Sequence, residues 1–307
     1  MSAYSWSSAE AATAVAAVLF LLVLVARALD FAPRRKALGC AWSLLPLAVT
    51  VLAWLLRREP AGTRMLGFVA GTFVAMKAIV LQAHRAGGGR TLPPERWLFF
   101  TLLWFGMNPR TLLARRPGPS ARARAAQLCR RATRNTLAGV VLVGLARMAA
   151  TPWAVPVLMV GLSLVVHFGV LTFAAALLQA LGFRARVLFD APLRSGSLQE
   201  FWAQRWNRGF AEMTALCVQR PLAARVGRSR ALLGSFLASG LLHELAISLP
   251  VGAGYGLPTS YFVLQGLMIR SERKEPGRLA TLLRIALPLP LVFHPWFVAG
   301  TLVPLLG

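Results

Sequence analysis

Charged residues are scarce in this chain, and acidic residues are the scarcest. Of 307 residues only 14% are charged, with 10 Asp and Glu against 34 Lys and Arg, whereas 57% are hydrophobic. The mean hydropathy is +0.60. A soluble domain does not combine so little charge with so many apolar residues. The composition therefore predicts an all-α fold, a polytopic transmembrane helical bundle.

Cysteine is sparse as well. Cys40, Cys129 and Cys217 show no metal-ligand spacing, and an odd number of cysteines does not complete a disulfide framework. The sequence lacks a G-x-S-x-G elbow, since "GLSLV" at Gly161 has no second glycine, and it has no P-loop or dinucleotide fingerprint. These absences argue against a disulfide scaffold, a serine hydrolase and a nucleotide-binding enzyme. We expect neither a metal nor a cofactor.

The positive charge, a formal net +24, lies between the apolar segments. The positive-inside rule assigns such clusters to cytoplasmic loops that face anionic lipid, so nucleic acid is not an expected partner. The N-terminus then lies outside. The four basic regions are Arg27–Lys36, Arg110–Arg134 with eight arginines, Arg184–Arg230 and Arg270–Arg278.

Eight to nine apolar segments approach the roughly 20 residues that cross a bilayer. They are Ala11–Ala28, Ala37–Leu56, Met65–Ala83, Trp97–Pro109, Asn135–Ala150, Trp153–Phe183, Ala231–Leu249, Tyr255–Ile269 and Leu279–Leu306. Trp97–Pro109 is short and is expected to be re-entrant or tilted. The last segment contains four prolines, which predict a broken helix. Arg57, Arg58 and Arg64 fall outside in this scheme, which conflicts with the charge rule.

We expect one integral membrane domain over residues 1–307, with its motif-bearing part at 97–307. Residues 184–230 are predicted to form a cytoplasmic loop with an amphipathic interface helix. From Leu198 the loop reads "LQEFWAQRWNRGFAEMTAL", in which apolar side chains recur every three to four residues. Ser195 or Ser197 is a candidate cap for this helix.

Four histidines are present, and three have ordinary interpretations. His84 and His294 adjoin the ends of apolar segments, so both are expected at the membrane interface. His167 lies inside Trp153–Phe183, where a helix–helix hydrogen bond is the first expectation.

The fourth histidine, His243, lies inside the apolar stretch "SGLLHELAIS". An ionisable residue within a membrane helix indicates function. Ser239 and Gly240, one turn earlier, are small enough to let another backbone approach. Glu244 points about 100° away from His243 around the helix, so it is expected to meet another helix or an arginine.

Three chemistries are conceivable for such a histidine. A zinc site of the H-E-x-x-H type is excluded, because position 247 is Ile247. A neutral imidazole that takes a proton from an alcohol remains. A proton relay in a lipid or solute transporter is the alternative.

Two ordered motifs resemble the wax synthase-like branch of the membrane-bound O-acyltransferase superfamily. "FWAQRWN" (Phe201–Asn207) matches the FW-x-x-RWN motif of that branch, and "SGLLHE" (Ser239–Glu244) matches its SG-x-x-HE motif. "LLWFGMNPR" (Leu102–Arg110) resembles a third segment, in which Phe105 replaces a proline. "FHPWF" (Phe293–Phe297) resembles the C-terminal end of the family.

The resemblance implies an acyltransferase with acyl-CoA as donor, a lipophilic alcohol as acceptor and a wax-type ester as product. A diacylglycerol, a sterol-like alcohol or a natural-product alcohol is an alternative acceptor. His243 would be the general base, and Asn207 would orient the acyl donor or the histidine. Membrane lipid is a further expected partner, and the oligomeric state stays open. The Ala- and Arg-rich composition suggests a high-GC bacterial genome, so the bacterial inner membrane is the expected location.

The substrate-binding candidates lie around these motifs. Arg205 is the first candidate for the phosphates of CoA, because arginine binds phosphate bidentately, although it could instead pair with Glu200 or Glu244. Ser239 is a further candidate. Trp202 and Trp206 are candidates too, although packing is the more common role of such tryptophans.

Overall fold

The computed structural model describes residues 3–113, 115, 120–149, 152–272 and 276–307, and these form helices and connecting segments without a strand. The helices of the first half are α1 Ala9–Ala28, α2 Arg34–Leu55, α3 Ala61–Ala86, α4 Pro94–Leu98, α5 Ala121–Met148, α6 Ala154–Val165 and α7 Leu171–Ala180. Those of the second half are α8 Leu198–Glu200, α9 Arg208–Thr214, α10 Arg220–Val226, α11 Arg228–Ala246, α12 Ser248–Val251, α13 Leu257–Ser271, α14 Arg278–Ala286, α15 Leu289–Val292 and α16 Pro295–Phe297. The predicted all-α class is confirmed.

Several of these helices contain the expected sequence signals. Ser8 caps α1 by accepting a hydrogen bond from the backbone N–H of Ala11 at 3.1 Å. Glu10 in the first turn and Arg27 in the last turn complement the helix dipole. Residues Val166–Val170 form a π-helical turn that joins α6 to α7, so the predicted segment Trp153–Phe183 contains one continuous helical stretch, Ala154–Ala180.

Five helical stretches within the described residues are long and apolar enough to cross a membrane. They are Ala9–Phe31, Arg34–Leu55, Ala61–Ala86, Ala154–Ala180 and Arg228–Val251. A sixth is added if Arg278–Val292 and Pro295–Leu305, bent by 66°, are counted as one broken span. The C-terminal break that the prolines predicted is therefore confirmed.

The remaining predicted segments differ from simple spans. Trp97–Pro109 becomes the end of α4, a π-helical turn at Phe99–Leu103 and a non-helical stretch. Tyr255–Ile269 corresponds to α13, which has 15 residues and is shorter than a bilayer crossing. The predicted segment Asn135–Ala150 overlaps the apolar second half of α5, which ends at Met148 and whose first half is basic, while Ala150 lies outside the described residues. A count of eight or nine segments is thus not confirmed.

The chain forms two compact units. The first unit contains Met1–Pro93, Glu212–Lys274 and Leu283–Thr301, and in it α3 packs on α1 and α2 while α11 packs on α13. The second unit contains Pro94–Ala211, Glu275–Leu282 and Leu302–Gly307, and in it α5 packs on α6 and α7. Parts of the predicted basic loops Arg110–Arg134 and Arg270–Arg278 lie outside the described residues.

Candidate active site

His243 lies in α11 of the first unit and is half-buried. Its Nδ1 atom is 2.7 Å from the backbone oxygen of Ser239, one turn earlier. A carbonyl oxygen only accepts, so Nδ1 carries the proton of this hydrogen bond. In the neutral imidazole, Nε2 is then the unprotonated and basic nitrogen. The ring also packs on Phe262 of α13, with the ring centroids 4.2 Å apart. The local geometry therefore fixes both the orientation and the tautomer of His243.

Gly240 is the reason that α13 comes so close to this histidine. A Cβ atom at Gly240 would lie 2.6 Å from the backbone Cα of Thr259. The expectation that small residues in this motif admit a second backbone is confirmed.

Glu244 caps the N-terminus of α13. Its Oε1 atom accepts from the backbone N–H of Gly256 at 3.1 Å, from the backbone N–H of Thr259 at 2.9 Å and from the Thr259 hydroxyl at 2.7 Å. The carboxylate thus replaces the side chain that the capping residue Gly256 lacks. Of the two partners expected for Glu244, another helix or an arginine, the structure has the helix.

His294 is fully buried within the protein, and its place at the membrane interface stays a prediction. Its Nδ1 atom accepts from the backbone N–H of Phe297 at 3.1 Å, so the neutral ring carries its proton on Nε2, 3.4 Å from the hydroxyl of Ser248. Gly254, with φ +75°, lies against the ring, where a Cβ atom would come within 2.5 Å. His84 is also buried, at the end of α3, because the turn after this helix brings Gly89 onto its imidazole.

The RWN segment of the second unit is held by backbone hydrogen bonds to the chain at 188–190. The N–H of Asp190 donates to the Arg205 carbonyl at 2.9 Å, and the N–H of Arg208 donates to the Leu188 carbonyl at 2.9 Å. The Asp190 carboxylate also pairs with Arg208 at 3.3 Å. These contacts hold Trp206 and Asn207 in a fixed bend between α8 and α9.

The bend interrupts the predicted helix. Residues Phe201–Arg205 are π-helical, Trp206 is extended, and Asn207 has φ +42°. Asparagine tolerates this left-handed conformation better than most residues do. The side-chain oxygen of Asn207 accepts from the backbone N–H of Phe210 at 3.3 Å and so caps α9. The prediction of a single continuous helix from Leu198 to Leu216 was wrong. The placement of this segment at a membrane interface stays a prediction.

The cap predicted for the start of this segment is confirmed at Ser197. Its hydroxyl accepts from the backbone N–H of Glu200 at 3.1 Å, while Glu200 accepts from the backbone N–H of Gly196 at 2.7 Å. Arg205 donates from Nε to Glu200 at 2.7 Å and from Nη1 to the Asp190 carbonyl at 3.2 Å. Of the two acidic partners considered for Arg205, Glu200 is the one observed. The Gly196 N–H and then Arg205 lower the pKa of Glu200 below its usual value.

Trp206 belongs to an aromatic cluster made of His167, Phe189, Phe201 and Trp206. Trp206 meets Phe189 edge-on at 4.9 Å and stacks on Phe201 at 5.5 Å, and Trp202 meets Phe201 edge-on at 5.0 Å. His167 lies 4.6 Å from Phe189 and 5.7 Å from Trp206. Both tryptophans thus have the packing contacts that were the more common expectation.

The histidine of this cluster was not recognised from the sequence as a neighbour of the RWN segment. His167 lies in the π-helical turn Val166–Val170, a kind of distortion that is frequent at functional sites. Its Nδ1 is 3.0 Å from the Ser163 hydroxyl on its own helix, so the helix–helix hydrogen bond expected for it was wrong. Asp190 and Phe189 were missed too, because no local pattern links them to a segment 15 residues away.

The four segments that resemble the family lie together in pairs, one pair in each unit. In the second unit Gly209, which follows the RWN segment, packs on the backbone of Phe105, Gly106 and Met107 from "LLWFGMNPR". In the first unit His294 from "FHPWF" contacts Ser248 at the end of "SGLLHELAIS". Segments far apart in sequence are therefore neighbours in space.

The described residues contain no group of three or more His, Cys, Asp or Glu side chains able to hold a metal ion. Burial raises the pKa of Cys217 to about 12, so this thiol is neutral and unreactive at physiological pH.

Comparison with known proteins gives the same relationship as the motifs. Residues 185–264 match the membrane bound O-acyl transferase family. The probable long-chain-alcohol O-fatty-acyltransferase 2 of Arabidopsis thaliana is 38% identical over 85 residues, which cover 25% of this chain and 25% of the relative. The probable long-chain-alcohol O-fatty-acyltransferase 9 of the same plant is 29% identical over 143 residues, 39% of this chain and 42% of the relative. The matches thus span less than half of either relative.

The matched region 185–264 contains both the RWN segment with Asn207 and the α11 helix with His243. Together with the apolar helices, the match identifies an integral membrane protein. The resemblance to the wax synthase-like branch of the membrane-bound O-acyltransferase superfamily is confirmed by the family match and by both plant relatives.

Proposed function

We propose that this protein is a membrane O-acyltransferase that transfers a fatty acyl group from acyl-CoA to the hydroxyl of a lipophilic alcohol, forming a wax-type ester. The observation that carries the proposal is His243 in the "SGLLHE" motif, with Nδ1–H bonded to a carbonyl and Nε2 as the basic nitrogen of the neutral ring. The family match and the plant relatives named as long-chain-alcohol acyltransferases support this choice of chemistry.

The proposed reaction needs one base and no metal. Nε2 of His243 takes the hydroxyl proton as the alcohol oxygen attacks the thioester carbonyl. The tetrahedral intermediate then collapses, the C–S bond breaks, and the proton on His243 passes to the departing sulfur, so that CoA leaves as a thiol. The base is thereby returned to its neutral form, and the ester partitions into the lipid.

Asn207 is proposed as the second polar residue of the reaction. Its side-chain oxygen caps α9, and the two N–H groups of its amide are donors that this cap does not use. An amide N–H is a suitable donor to the thioester carbonyl of the acyl donor. Arg205 keeps a proposed role with the CoA phosphates, although its Nε and Nη1 atoms already hold Glu200 and Asp190. The bundle is proposed to lie in a bacterial cytoplasmic membrane, with eight to nine membrane segments and the donor arriving from the cytoplasm.

The test is an esterification assay with purified protein, labelled acyl-CoA and a panel of alcohols that includes long-chain alcohols, a diacylglycerol and a sterol. We expect a new neutral ester with at least one long-chain alcohol. His243→Ala should lower the rate by about 10²–10⁴-fold, which is the usual contribution of a general base. Leu241→Ala is the matched control, because Leu241 is exposed on the same helix.

Two outcomes would contradict the proposal. A His243→Ala variant that forms ester at the wild-type rate would show that His243 is not the general base. Absence of ester with every alcohol in the panel would favour the transporter alternative. Size-exclusion profiles and unfolding temperatures of both variants establish that the comparison is between folded proteins.

A further inference from the structure

A groove of about 520 Å³ runs between α5 and α7 of the second unit. The α5 wall consists of Arg122, Ala125, Ala126 and Cys129, which are spaced at i, i+3, i+4 and i+7 and so share one face of the helix. Phe173 and Leu177 form the opposite wall on α7. The groove is therefore open and largely apolar, with one cationic side chain.

The cation lies at a defined end of the groove. Thr136 of α5 touches Gly169 just before α7, whereas Arg122 near the start of α5 lines the groove together with Ala180 at the end of α7. The two helices thus run in opposite directions, and Arg122 is level with the C-terminal end of α7. The basic segment 184–230 follows this end directly, and the positive-inside rule assigns it to the cytoplasmic surface.

Arg122 differs from its neighbours in its contacts. Arg124 donates to the Ser120 hydroxyl at 2.7 Å, and Arg131 pairs with Asp190 at 3.9 Å. Within the part of the chain that the structure describes, Arg122 has neither a hydrogen bond nor an ion pair with another residue. Its guanidinium N–H groups are thus available to an anionic ligand at the mouth of the groove.

We propose that this groove binds an anionic phospholipid of the surrounding bilayer. One acyl chain lies along Ala126 and Cys129 towards Phe173, and the phosphate accepts hydrogen bonds from Arg122. The ligand class follows from the combination of an apolar groove, a single cation at the end that the charge rule assigns to the cytoplasm, and a helical stretch long and apolar enough to cross a membrane. The site is separate from the residues of the proposed acyl transfer and does not depend on that reaction.

Cys129 provides a direct measurement, because it lines the groove and its thiol is exposed. The protein is placed in nanodiscs of phosphatidylcholine alone, or of phosphatidylcholine with phosphatidylglycerol, and its reaction with N-ethylmaleimide is followed by peptide mass spectrometry. Cys40, exposed on α2, is the internal reference. We expect phosphatidylglycerol to slow the alkylation of Cys129 by about fivefold relative to Cys40, the effect of one basic residue at an anionic surface.

Two substitutions separate the groove from general surface charge. Arg122→Gln should abolish the effect of phosphatidylglycerol on Cys129, whereas Arg124→Gln, which removes the same charge one residue outside the groove, should retain it. Ala126→Trp should fill the groove and make the alkylation rate independent of the lipid.

Three results would overturn the proposal. The first is equal protection of Cys129 in both arginine variants, which would indicate an effect of bulk charge. The second is no protection in the wild type. The third is protection that depends on protein concentration rather than on lipid. The last result would mean that a second copy of the chain covers the groove.

Discussion

Among single residues, Asn207 combines a backbone role with a proposed chemical role. Its left-handed backbone and its cap on α9 explain why this residue type suits the bend, independently of any reaction. The two roles use different atoms, because the cap needs the side-chain oxygen and the proposed contact to the acyl donor needs the amide N–H groups. Substitutions can therefore distinguish them.

Asn207→Asp keeps the capping oxygen and removes the amide donors, so we expect normal stability and a loss of esterification of at least about tenfold. Asn207→Ala removes both, and we expect an additional loss of about 1 kcal/mol in the free energy of unfolding. Thermal unfolding in detergent and the esterification assay measure the two effects. An Asp variant that is fully active would limit Asn207 to its structural role.

Glu200 gives the start of the RWN segment a pH dependence. Its pKa is lowered from the usual value of about 4.5 by the Gly196 N–H and then by Arg205. A carboxyl whose pKa is lowered by folding stabilises the folded state at any pH above its usual pKa, and that stabilisation is lost as the pH falls through the lowered pKa. We expect wild type to exceed Glu200→Gln in unfolding temperature at neutral pH, and the difference to shrink below about pH 4.5.

Glu10→Gln is the control for the loss of one negative charge, since Glu10 is exposed in the first turn of α1. Its unfolding temperature is measured at the same neutral and acidic pH values. A difference between wild type and Glu200→Gln that stayed constant through the acid range would rule out the carboxylate as its cause.

At the level of helices, the sequence predicted positions well where the signal was local. The cap at Ser197, the small-residue face at Gly240 and the proline break near the C-terminus all depend on a few neighbouring residues, and all three are confirmed. The bend at Trp206 was missed, because it depends on hydrogen bonds to residues 188 and 190. Helical periodicity on both sides of the bend concealed it.

The extent of α5 was missed for a different reason. The length of an apolar run indicates how much of a helix lies in lipid. The prediction from apolar length therefore included only the half of α5 from Asn135 onwards. The helix begins 14 residues earlier, at Ala121, in a stretch that contains five arginines. Arginine is a good helix former, so the helix starts well before the apolar run that hydropathy detects.

The crossing of α11 and α13 at Gly240 offers the clearest prediction for a pair of helices. Within a helix, alanine is more stable than glycine by about 1 kcal/mol. Gly144→Ala in α5, where a Cβ atom meets nothing within 4 Å, should therefore be neutral or stabilising. Gly240→Ala makes the same change but sets Cβ against the Thr259 backbone, and we expect a loss of about 1–3 kcal/mol in the free energy of unfolding.

Thermal unfolding of the two alanine variants in one detergent gives the comparison. Because α13 also supplies Phe262 to the His243 ring, Gly240→Ala should lower the esterification rate as well. Equal unfolding temperatures for the two variants would mean that the helices separate at little cost.

For the whole molecule, the distribution of charge determines orientation more than fold. The formal net charge of +24 is concentrated in segments that the positive-inside rule assigns to the cytoplasm. Arg57, Arg58 and Arg64 were the exception in the sequence. In the structure Arg57 donates to the Trp54 carbonyl and lies over the Trp54 ring, and Arg64 donates to the Leu249 carbonyl. Two of the three arginines thus have local partners, but a carbonyl or a ring does not neutralise their charge, so the conflict with the charge rule remains.

The basic residues at the start of α2 predict opposite sides of the membrane for the two ends of this helix. We expect Arg58→Cys, in a chain whose native cysteines are replaced, to react with a membrane-impermeant maleimide in intact bacterial spheroplasts. Arg35→Cys, at the other end of the helix, should react only after permeabilisation, because Arg34, Arg35 and Lys36 form a basic start to α2 that the charge rule retains inside. Labelling of Arg35→Cys in intact spheroplasts would reverse the orientation of the bundle, and with it the cytoplasmic entry proposed for the acyl donor.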